Sequence, residues 1–225
     1  ATDGSVSAES LVRFSLLSAL STQNDPPEKA SKPFSKDRDG FVIAEGAATL
    51  ILESLASAVA RGAKVYGIVR GCGEKADHFH RTRSSPDGAP AIATVRAALE
   101  DAGLDIDGID YINAHGTSTP ENDKMEYSSL SAVFGERLKS IPLSSNKSMI
   151  GHTLTAAGAV EAVFSFQSMQ TGVLPPTINH VNPDPAIELD VVPNVKRSAN
   201  VASVLSNSFG FGGQNACLVM TREPA

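Results

Sequence analysis

The sequence lacks three features that would place a chain of this size in other classes of protein. No stretch among its 225 residues approaches the roughly 20 apolar residues of a membrane helix, and no basic and apolar leader opens it. The formal net charge of −6 argues against a surface built to neutralise a phosphate backbone. We therefore expect a soluble, cytoplasmic protein that binds neither nucleic acid nor membrane.

Cysteine is scarce as well. The two cysteines, Cys72 and Cys217, belong to no C-x-x-C motif and do not have the spacing of metal ligands. We expect both thiols to be reduced and mostly buried. His78, His80 and His180 lie in polar stretches without zinc-ligand spacing, so we interpret them as surface or structural residues.

What the sequence does contain is an alternation of strand-like apolar runs with helical patterns. The runs predict strands over 40–54, 64–71, 108–116, 140–145, 201–208 and 215–220, the last two joined by a glycine-rich turn. The patterns predict helices over 6–20, 55–62, 89–103, 121–135 and 153–172, with polar loops over 21–39 and 74–88. Strands separated by helices predict an α/β fold with a largely parallel sheet covered on both faces.

Two histidines follow short apolar runs at predicted strand-to-helix junctions. His115 lies in "NAHGTSTP" and His152 in "SMIGHTLT", and junctions of this kind are where open α/β sheets bind ligands. One such histidine alone is more often a core residue, but the pair favours a site. Glu161, nine positions after His152, lies in an apolar helical pattern, where an unpaired charge is costly. Lys147, Asn113 or a bound cation could be its partner.

The motifs around these residues carry a family resemblance. "INAHGTSTPENDK", "SNKSMIGHTLTAAGAVE" and "SNSFGFGGQN", preceded by "DRDGFVIAEGAATLILE", resemble the C-terminal signatures of elongating, type II β-ketoacyl-acyl-carrier-protein synthases. The resemblance implies the C-terminal half of a thiolase-like fold with a parallel or mixed sheet. Residues 1–60 would then be the tail end of the N-terminal ketosynthase half, and residues 61–225 the C-terminal half. The family works as a homodimer in fatty acid synthesis.

The resemblance also implies a reaction. A cysteine takes an acyl chain from acyl carrier protein, malonyl-acyl carrier protein loses carbon dioxide, and the resulting enolate attacks the acyl thioester. His115 and His152 are implied as the hydrogen-bond donors that stabilise the enolate, which preorganised donors do well. Lys147 is implied to support His152 and to contact Glu161, and no cofactor is required.

Further residues acquire substrate-binding roles through the same resemblance. Thr117 and Thr119 would hydrogen-bond the pantetheine amides of the carrier arm, although strand-end or helix capping is the alternative. Phe209 would pack on the active site and Phe211 would gate the acyl pocket, with Gly210 between them. The alternative there is a tight turn with two core phenylalanines.

A monovalent cation, Na⁺ or K⁺, is the last implied component. Its ligands would be Asn113, Glu161, Ser206 and Asn207, all of which carry the oxygen atoms that a hard cation prefers. Glu161 could equally be satisfied by Lys147 and backbone donors, so both interpretations remain open.

One departure from the family pattern is large. The family's nucleophile lies in an "ACSS"-like motif that this sequence does not contain, and neither Cys72 nor Cys217 stands in its place. We therefore expect the C-terminal portion of a synthase, as an excised fragment, a proteolysed chain or one half of a split protein, with the N-terminal half as partner. A non-catalytic partner of the chain-length-factor type and a thiolase relative are the alternatives. The retained histidines argue against the first, and "HGTSTP" with "KSMIGH" argues against the second.

Overall fold

The structure is a computed structural model that describes residues 1–222. The helices are α1 (Ala8–Leu16), α2 (Leu55–Ala60), α3 (Ala89–Ala102), α4 (Pro120–Phe134), α5 (Lys147–Ile150) and α6 (Ala157–Thr171). The strands are β1 (Thr2–Asp3), β2 (Gly46–Ala47), β3 (Ile68–Ala76), β4 (Tyr111–Asn113), β5 (Leu143–Ser144), β6 (Val173–Leu174), β7 (Arg197–Ser198), β8 (Ser203–Gly210) and β9 (Gln214–Thr221). Within these residues, no helix has both the length and the apolar character to cross a bilayer.

Five strands form the central sheet, in the order β3-β9-β8-β4-β5. β8 and β5 run parallel to β4, whereas β9 runs antiparallel to both β8 and β3. The sheet is therefore mixed, and the expectation of a largely parallel sheet is wrong for its β3–β9–β8 side. The physical reason is the short turn between β8 and β9, in which Gly212 and Gly213 have positive φ, because a tight turn joins only antiparallel neighbours.

Helices cover both faces of this sheet, as the sequence predicts. α3 packs against β3 and β9 and beside α4, while α6 packs against β8 and β9. Successive residues of β4 show the two faces: Tyr111 packs into a core with Met169 of α6, and Ile112 into a core with Val95 of α3. The carboxyl end of β4 is therefore held between two closed apolar cores.

The first sixty residues contribute little to those cores. α1 buries none of its residues, and α2 buries only Ala58. Leu16 and Leu52 are exposed, and Ile51 is 81% exposed. β1 and β2 pair with each other, and Phe34 is the member of this segment that lies in the main core. Residues 1–60 thus present apolar surface that the rest of the described chain does not cover.

Several predicted elements are shifted. The predicted strand over 40–54 is a strand only at β2, which pairs with β1, while Phe41 and Ile43 form isolated bridges to Leu20 and His152. A continuous strand needs a neighbour along its whole length for its N–H and C=O groups. β3 runs to Ala76, into the predicted loop over 74–88, because β9 pairs with it there. The predicted strand over 140–145 is reduced to β5. The predicted helix over 153–172 becomes α6 after a short 3-10 turn.

The two cysteines lie in different surroundings. Cys217 is buried as expected, but the expectation is wrong for Cys72, which is exposed. Cys72 lies in the middle of β3, at the edge of the sheet. Its neighbours Gly71 and Gly73 face α3 at close range, so the side chain of Cys72 points to the other face.

Candidate active site

His115 lies two residues beyond the carboxyl end of β4, where the chain turns towards α4. The Glu126 carboxylate on α4 accepts the backbone N–H groups of His115 and Gly116, both at 2.8 Å. Gly116 has a φ of 42°, and a Cβ atom there would lie 2.6 Å from the Cβ of Ser145, so this turn requires glycine. A buried carboxylate therefore fixes the backbone of the first histidine.

The two threonines that follow His115 contact each other. The hydroxyl oxygens of Thr117 and Thr119 are 2.8 Å apart. Thr119 also caps α4, since its side chain accepts the Asn122 N–H at 3.3 Å. The capping interpretation thus describes Thr119 well, and the role of both hydroxyls towards a pantetheine arm stays a prediction.

His152 follows α5 and is held by the first sixty residues. Its N–H donates to the Val42 carbonyl at 2.7 Å, and its own carbonyl accepts the Ala44 N–H at 3.0 Å. Its ring packs edge-to-face on Phe41, with ring centroids 5.2 Å apart. Gly151, with a φ of 72°, makes the preceding turn. The second histidine is therefore positioned by a different part of the chain from the first.

The two imidazoles meet edge to face, with centroids 5.4 Å apart and ring planes at 84°. Nδ1 of His152 accepts the Leu154 N–H at 3.1 Å, and Nδ1 of His115 faces the Lys147 ammonium at 3.4 Å. Because each Nδ1 atom has a donor beside it, the hydrogen-bond network assigns the ring proton of a neutral imidazole to Nε2. Neither Nε2–H group has an acceptor within residues 1–222, so each can donate to a bound molecule.

Both rings are uncharged at neutral pH. Burial lowers the pKa of His115 well below its usual 6.5, and the charges of Lys147 and His152 lower it further. Burial, and after it the Lys147 ammonium, lowers the pKa of His152 to about 3. Neutral N–H donors held in a water-poor site can stabilise a developing negative charge without reorganising.

Lys147 and Glu161 form a buried ion pair beside His115. Each is 1% exposed, and the Lys147 ammonium donates to the Glu161 carboxylate and, at 2.7 Å, to the His115 carbonyl oxygen. Its histidine hydrogen-bond contacts are with His115, and the support of His152 by Lys147 stays a prediction. Lys147 opens α5 just after β5, the parallel neighbour of β4, and this brings its ammonium to the end of β4. Burial raises the pKa of Glu161, and Lys147 offsets part of that rise.

Three of the four residues predicted to bind a cation lie together. Asn113 Oδ1 and Glu161 Oε2 are both buried and have no hydrogen-bond partner within residues 1–222. The Asn113 amide donates to the Glu161 carbonyl oxygen at 3.2 Å, and Ser206 pairs with Asn113 in the register of β4 and β8. Two partnerless buried oxygens are the kind of ligand that a hard cation requires, so the residues present fit the implied ion.

Asn207, the fourth predicted ligand, has other side-chain partners. Its amide donates to Glu126 at 3.1 Å, and its oxygen accepts the Cys217 thiol at 3.1 Å. Burial raises the pKa of that thiol well above its usual value. The side chain of Asn207 therefore links β9 to the carboxylate that supports His115. No group of three or more His, Cys, Asp or Glu residues within the described chain could hold a metal ion.

The turn between β8 and β9 brings a phenylalanine to the histidines. Phe209 is buried, and its ring centroid lies 5.9 Å from that of His115. Phe211 is 47% exposed, and Gly210 between them ends β8. Phe209 thus contacts the candidate site, whereas Phe211 faces away from the core.

Sequence reasoning missed two supporting acids, Asp123 and Glu126. Asp123 accepts the backbone N–H groups of Phe34 at 2.8 Å and Ser118 at 3.2 Å. Burial raises its pKa to about 6, although its hydrogen bonds and Arg38 oppose that rise. The available signal was "DKME", with two acids three residues apart on one helix face directly after the histidine motif.

The sequence of this chain is similar to those of known β-ketoacyl synthases. The family model for the C-terminal domain of β-ketoacyl synthases matches residues 66–181, and the model for the N-terminal domain matches residues 1–58. The 3-oxoacyl-[acyl-carrier-protein] synthase 2 of Coxiella burnetii is 46% identical over 93% of this chain and 50% of its own length. The Rhizobium meliloti protein of the same name is 48% identical over 98% of this chain and 52% of its own length.

Solved structures agree with these matches. A type II polyketide ketosynthase in complex with its acyl-carrier protein has a TM-score of 0.96 at 38% identity, over 99% of this chain and 55% of the other. A β-ketoacyl synthase from Burkholderia phymatum has a TM-score of 0.93 at 39% identity, over 99% of this chain and 54% of the other. The fold is therefore the thiolase-like fold of ketosynthases, and the chain belongs to the β-ketoacyl synthase family. It spans about half the length of the curated relatives it matches.

Proposed function

We propose that this chain forms the C-terminal part of an elongating condensing enzyme of fatty acid synthesis. The observation that carries the proposal is the pair of neutral imidazoles, 5.4 Å apart, with an N–H donor at each Nδ1. The curated relatives named 3-oxoacyl-[acyl-carrier-protein] synthase 2 support it. The reaction is an acyl transfer, the decarboxylative Claisen condensation of an acyl thioester with malonyl-acyl carrier protein.

The proposed chemistry follows from the two Nε2–H groups. The bond between the malonyl α-carbon and its carboxylate breaks, carbon dioxide leaves, and the electron pair becomes an enolate with its charge on the thioester oxygen. His115 and His152 donate to that oxygen and lower the energy of the charge. The enolate carbon then bonds to the carbonyl carbon of the enzyme-bound acyl thioester, and the cysteine thiolate leaves.

We assign the nucleophilic cysteine to the N-terminal half of the same enzyme. Cys217 is unsuited because burial raises its pKa, and a thiol with little thiolate is a poor nucleophile. Cys72 lies on β3, three strands from β4 in the sheet order, with its side chain on the face away from α3. In this proposal residues 1–60 belong to the N-terminal half and residues 61–225 form the C-terminal half. The chain alone is then inactive.

Substrate binding is assigned to the rim of the same site. Thr117 and Thr119, whose hydroxyls are paired at the end of β4, hydrogen-bond the pantetheine amides of acyl- and malonyl-loaded carrier protein. Phe209 packs on the reacting groups, and Phe211 with Gly210 borders the acyl pocket. The burial of Phe209 beside His115 supports its part of this assignment.

A Na⁺ or K⁺ ion completes the proposed site, and no other cofactor is needed. Asn113, Glu161 and Ser206 would hold it, together with Asn207, whose side chain is engaged elsewhere. Such an ion would neutralise part of the buried charge behind His115. Loss of a melting-temperature increase on adding K⁺ or Na⁺ in an Asn113→Ala variant tests the ion without an activity assay.

Assembly and location complete the proposal. The uncovered apolar side chains of α1 and of residues 51–59 support packing against the remaining N-terminal half, because large exposed apolar patches mark interaction surfaces. The complete protein is then a cytoplasmic homodimer. This chain by itself should self-associate, which sedimentation velocity measures.

Substitution of the two histidines tests the proposed reaction. In the protein expressed from its complete reading frame, His115→Ala and His152→Ala should each reduce carbon dioxide release from malonyl-acyl carrier protein by about 10²–10³, the usual effect of losing one oxyanion donor. His78→Ala, at an exposed position, is the control and should keep the parental rate. Parental rates in either active-site variant would refute the assignment.

The same assay separates the proposal from a non-catalytic partner of the chain-length-factor type. One similar solved structure pairs a ketosynthase with a chain length factor. A partner subunit of this kind would release no carbon dioxide from malonyl thioesters, so histidine substitutions would have nothing to reduce. A measurable parental rate rules that alternative out.

A further inference from the structure

The turn that follows His152 is tied to strand β1 by a carboxylate. Asp3 accepts the Thr155 hydroxyl at 2.7 Å and the Thr155 backbone N–H at 3.3 Å, both on one oxygen. The same hydroxyl lies 3.0 Å from the Thr2 carbonyl oxygen. The other Asp3 oxygen accepts the Ser5 N–H at 3.0 Å, which fixes the carboxylate on its own segment. We call Asp3 and Thr155 together the Asp3–Thr155 clamp.

The residue before Thr155 has a strained backbone. Leu154 has a φ of 47°, in the left-handed region that a side chain of its size rarely adopts. Such a conformation persists only where surrounding contacts hold it, and strained residues of this kind cluster at functional sites. β1 packs against the 3-10 turn Leu154–Ala156, and a Cβ atom on Gly46 of β2 would lie 3.0 Å from Cγ2 of Thr153. The paired strands β1 and β2 therefore supply contacts that hold the strained turn.

The N–H group of the strained residue faces the second histidine. The Leu154 N–H donates to Nδ1 of His152 at 3.1 Å, which leaves the ring proton on Nε2. A donor at Nδ1 also favours the neutral ring over the imidazolium. In contrast, Nδ1 of His115 faces a side chain, the Lys147 ammonium. The tautomer of His152 thus depends on one backbone N–H in one strained turn.

We propose that the Asp3–Thr155 clamp positions His152 for the condensation, with Asp3 as the positioning residue. While the clamp holds the turn, the Leu154 N–H stays on Nδ1 and the Nε2–H group stays aimed at the enolate oxygen. This inference rests on the proposed function, which makes that group a donor to the enolate. Asp3 lies in the part of the chain that matches the N-terminal domain model, and Thr155 in the part that matches the C-terminal one. The clamp therefore joins the two parts directly behind the site.

An effect of Asp3 through its charge can be told apart from an effect through the turn. The titratable groups that face the His152 ring are Lys147, Asp3 and His115. Burial, and after it the Lys147 ammonium, lowers the pKa of His152 to about 3, and the negative charge of Asp3 opposes that fall. Loss of the charge alone would lower this pKa further. Loss of the turn would withdraw the Leu154 N–H and admit water, so the pKa would rise towards its usual 6.5.

The test uses three substitutions in the protein expressed from its complete reading frame. Asp3→Ala removes the carboxylate, Thr155→Val removes only the hydroxyl, and Thr155→Ser keeps the hydroxyl. Glu100→Ala, which removes an exposed acid of α3, is the matched control. Circular dichroism confirms that each protein is folded. Nitrogen NMR with labelled histidine then follows the His152 ring, and steady-state assays give kcat and KM for carbon dioxide release from malonyl-acyl carrier protein.

Asp3→Ala should shift the titration midpoint of His152 upwards and mix its two neutral tautomers. Its kcat should fall by about 10-fold with KM unchanged, because a displaced donor weakens binding of the transition state and leaves substrate binding intact. Thr155→Val should show the same changes to a smaller degree. Thr155→Ser and Glu100→Ala should match the parent in both measurements.

Two results would overturn the inference. A His152 ring in Asp3→Ala that keeps its proton on Nε2 and the parental midpoint, or a lower one, would show that the turn does not need the clamp. Equal losses in Thr155→Val and Thr155→Ser would show that the hydroxyl is not the contact that matters. A parental protein that releases no carbon dioxide would instead refute the proposed function, and the NMR measurement would still decide whether the clamp holds the ring.

Discussion

Different kinds of interaction hold His115 and His152 in place, although the centroids of the two rings are only 5.4 Å apart. His115 is fixed by buried charges from the sheet and its helices, with Glu126 on its backbone N–H and Lys147 on its carbonyl. His152 is fixed by backbone hydrogen bonds and an aromatic contact from residues 41–44.

This difference shows that both parts of the chain matched by the family models contribute to the site. His115 and its supporting charges lie within residues 66–181, whereas the segment that holds His152 lies within residues 1–58. A carboxylate that accepts backbone N–H groups inside a closed core is costly to disturb, whereas a few backbone hydrogen bonds to the half-buried residues 42–44 open more easily. We therefore expect damage on the His115 side to cost the most global stability, and damage on the His152 side to cost less and to displace the histidine as well.

The largest effect should come from breaking the charge pair on the His115 side. Glu161→Ala leaves the buried Lys147 ammonium without its counter-charge, and such a change typically costs roughly 3–5 kcal/mol in the free energy of unfolding. Urea unfolding monitored by circular dichroism measures it. Glu100→Ala, at an exposed position on α3, should leave stability within about 0.5 kcal/mol of the parent. Equal stability of both variants would mean that the ion pair does not hold this region.

On the His152 side, alanine substitutions at two glycines distinguish the effect of local crowding on stability from that of backbone strain. Gly151 and Gly62 have φ values of 72° and 69°, but a Cβ atom on Gly151 would lie 2.8 Å from the Cβ of Ala44, whereas nothing lies within 4 Å at Gly62. Gly151→Ala should cost about 3 kcal/mol and Gly62→Ala about 1 kcal/mol in the free energy of unfolding.

The activities of the two glycine variants sharpen the comparison. A side chain on Gly151 would press on Ala44, in the segment 42–44 that holds His152. Carbon dioxide release should therefore fall in Gly151→Ala and persist in Gly62→Ala at a temperature where both are folded. Equal losses in the two variants would show that contact with residues 42–44 does not position His152.

A smaller effect is expected in the pH dependence of stability. The pKa of His152 is lowered to about 3 in the folded protein, so between its usual 6.5 and that value the unfolded chain binds a proton that the folded chain does not. Stability due to this group is therefore lost as pH falls from 6.5, by up to about 1.4 kcal/mol per pH unit.

His152→Gln should remove that share of the slope. Asp123, whose pKa is raised to about 6, gives a slope of the opposite sign, but it is present in both proteins and cancels in their difference. Chemical unfolding at several values between pH 7 and pH 4.5 measures the difference. Identical slopes in His152→Gln and parent would show that the folded protein does not hold His152 as a neutral ring.

The smallest effect concerns the core behind His115. Cys217, hydrogen-bonded to the Asn207 that contacts Glu126, should resist a water-soluble thiol reagent, and exposed Cys72 should react. Intact-mass spectrometry of this 225-residue chain should find one label per native chain and two after unfolding, and only one after unfolding in Cys72→Ser. Rapid labelling of Cys217 in the native state would mean that this core opens readily.

Local signals predicted much of this structure. Pro90 and Gly103 bound the predicted helix over 89–103, and α3 begins one residue before Pro90 and ends at Ala102, capped by Gly103 in a left-handed conformation. The prediction of a glycine-rich turn between the last two strands is also confirmed. Short-range patterns of this kind are fixed by neighbours in sequence.

Long-range contacts could not be predicted from such patterns. Lys147 contacts His115 across 32 positions, and Asn207 reaches Glu126 across 81. Choosing Lys147's partner required knowing that β5 lies beside β4, and the antiparallel placement of β3 against β9 likewise depends on how distant strands order themselves. The exposure of Cys72 follows from that same edge position.

A titration of the histidine rings is the most direct test of the central claim, that the site presents two neutral imidazoles as donors. Nitrogen NMR of the complete protein with labelled histidine would follow each ring from pH 8 downwards, with His115→Gln and His152→Gln identifying the signals. Both rings should stay neutral, with the proton on Nε2, as the pH falls through their usual 6.5, and His152 should titrate only near pH 3. A midpoint near 6.5 for either ring, or a proton on Nδ1, would contradict the account.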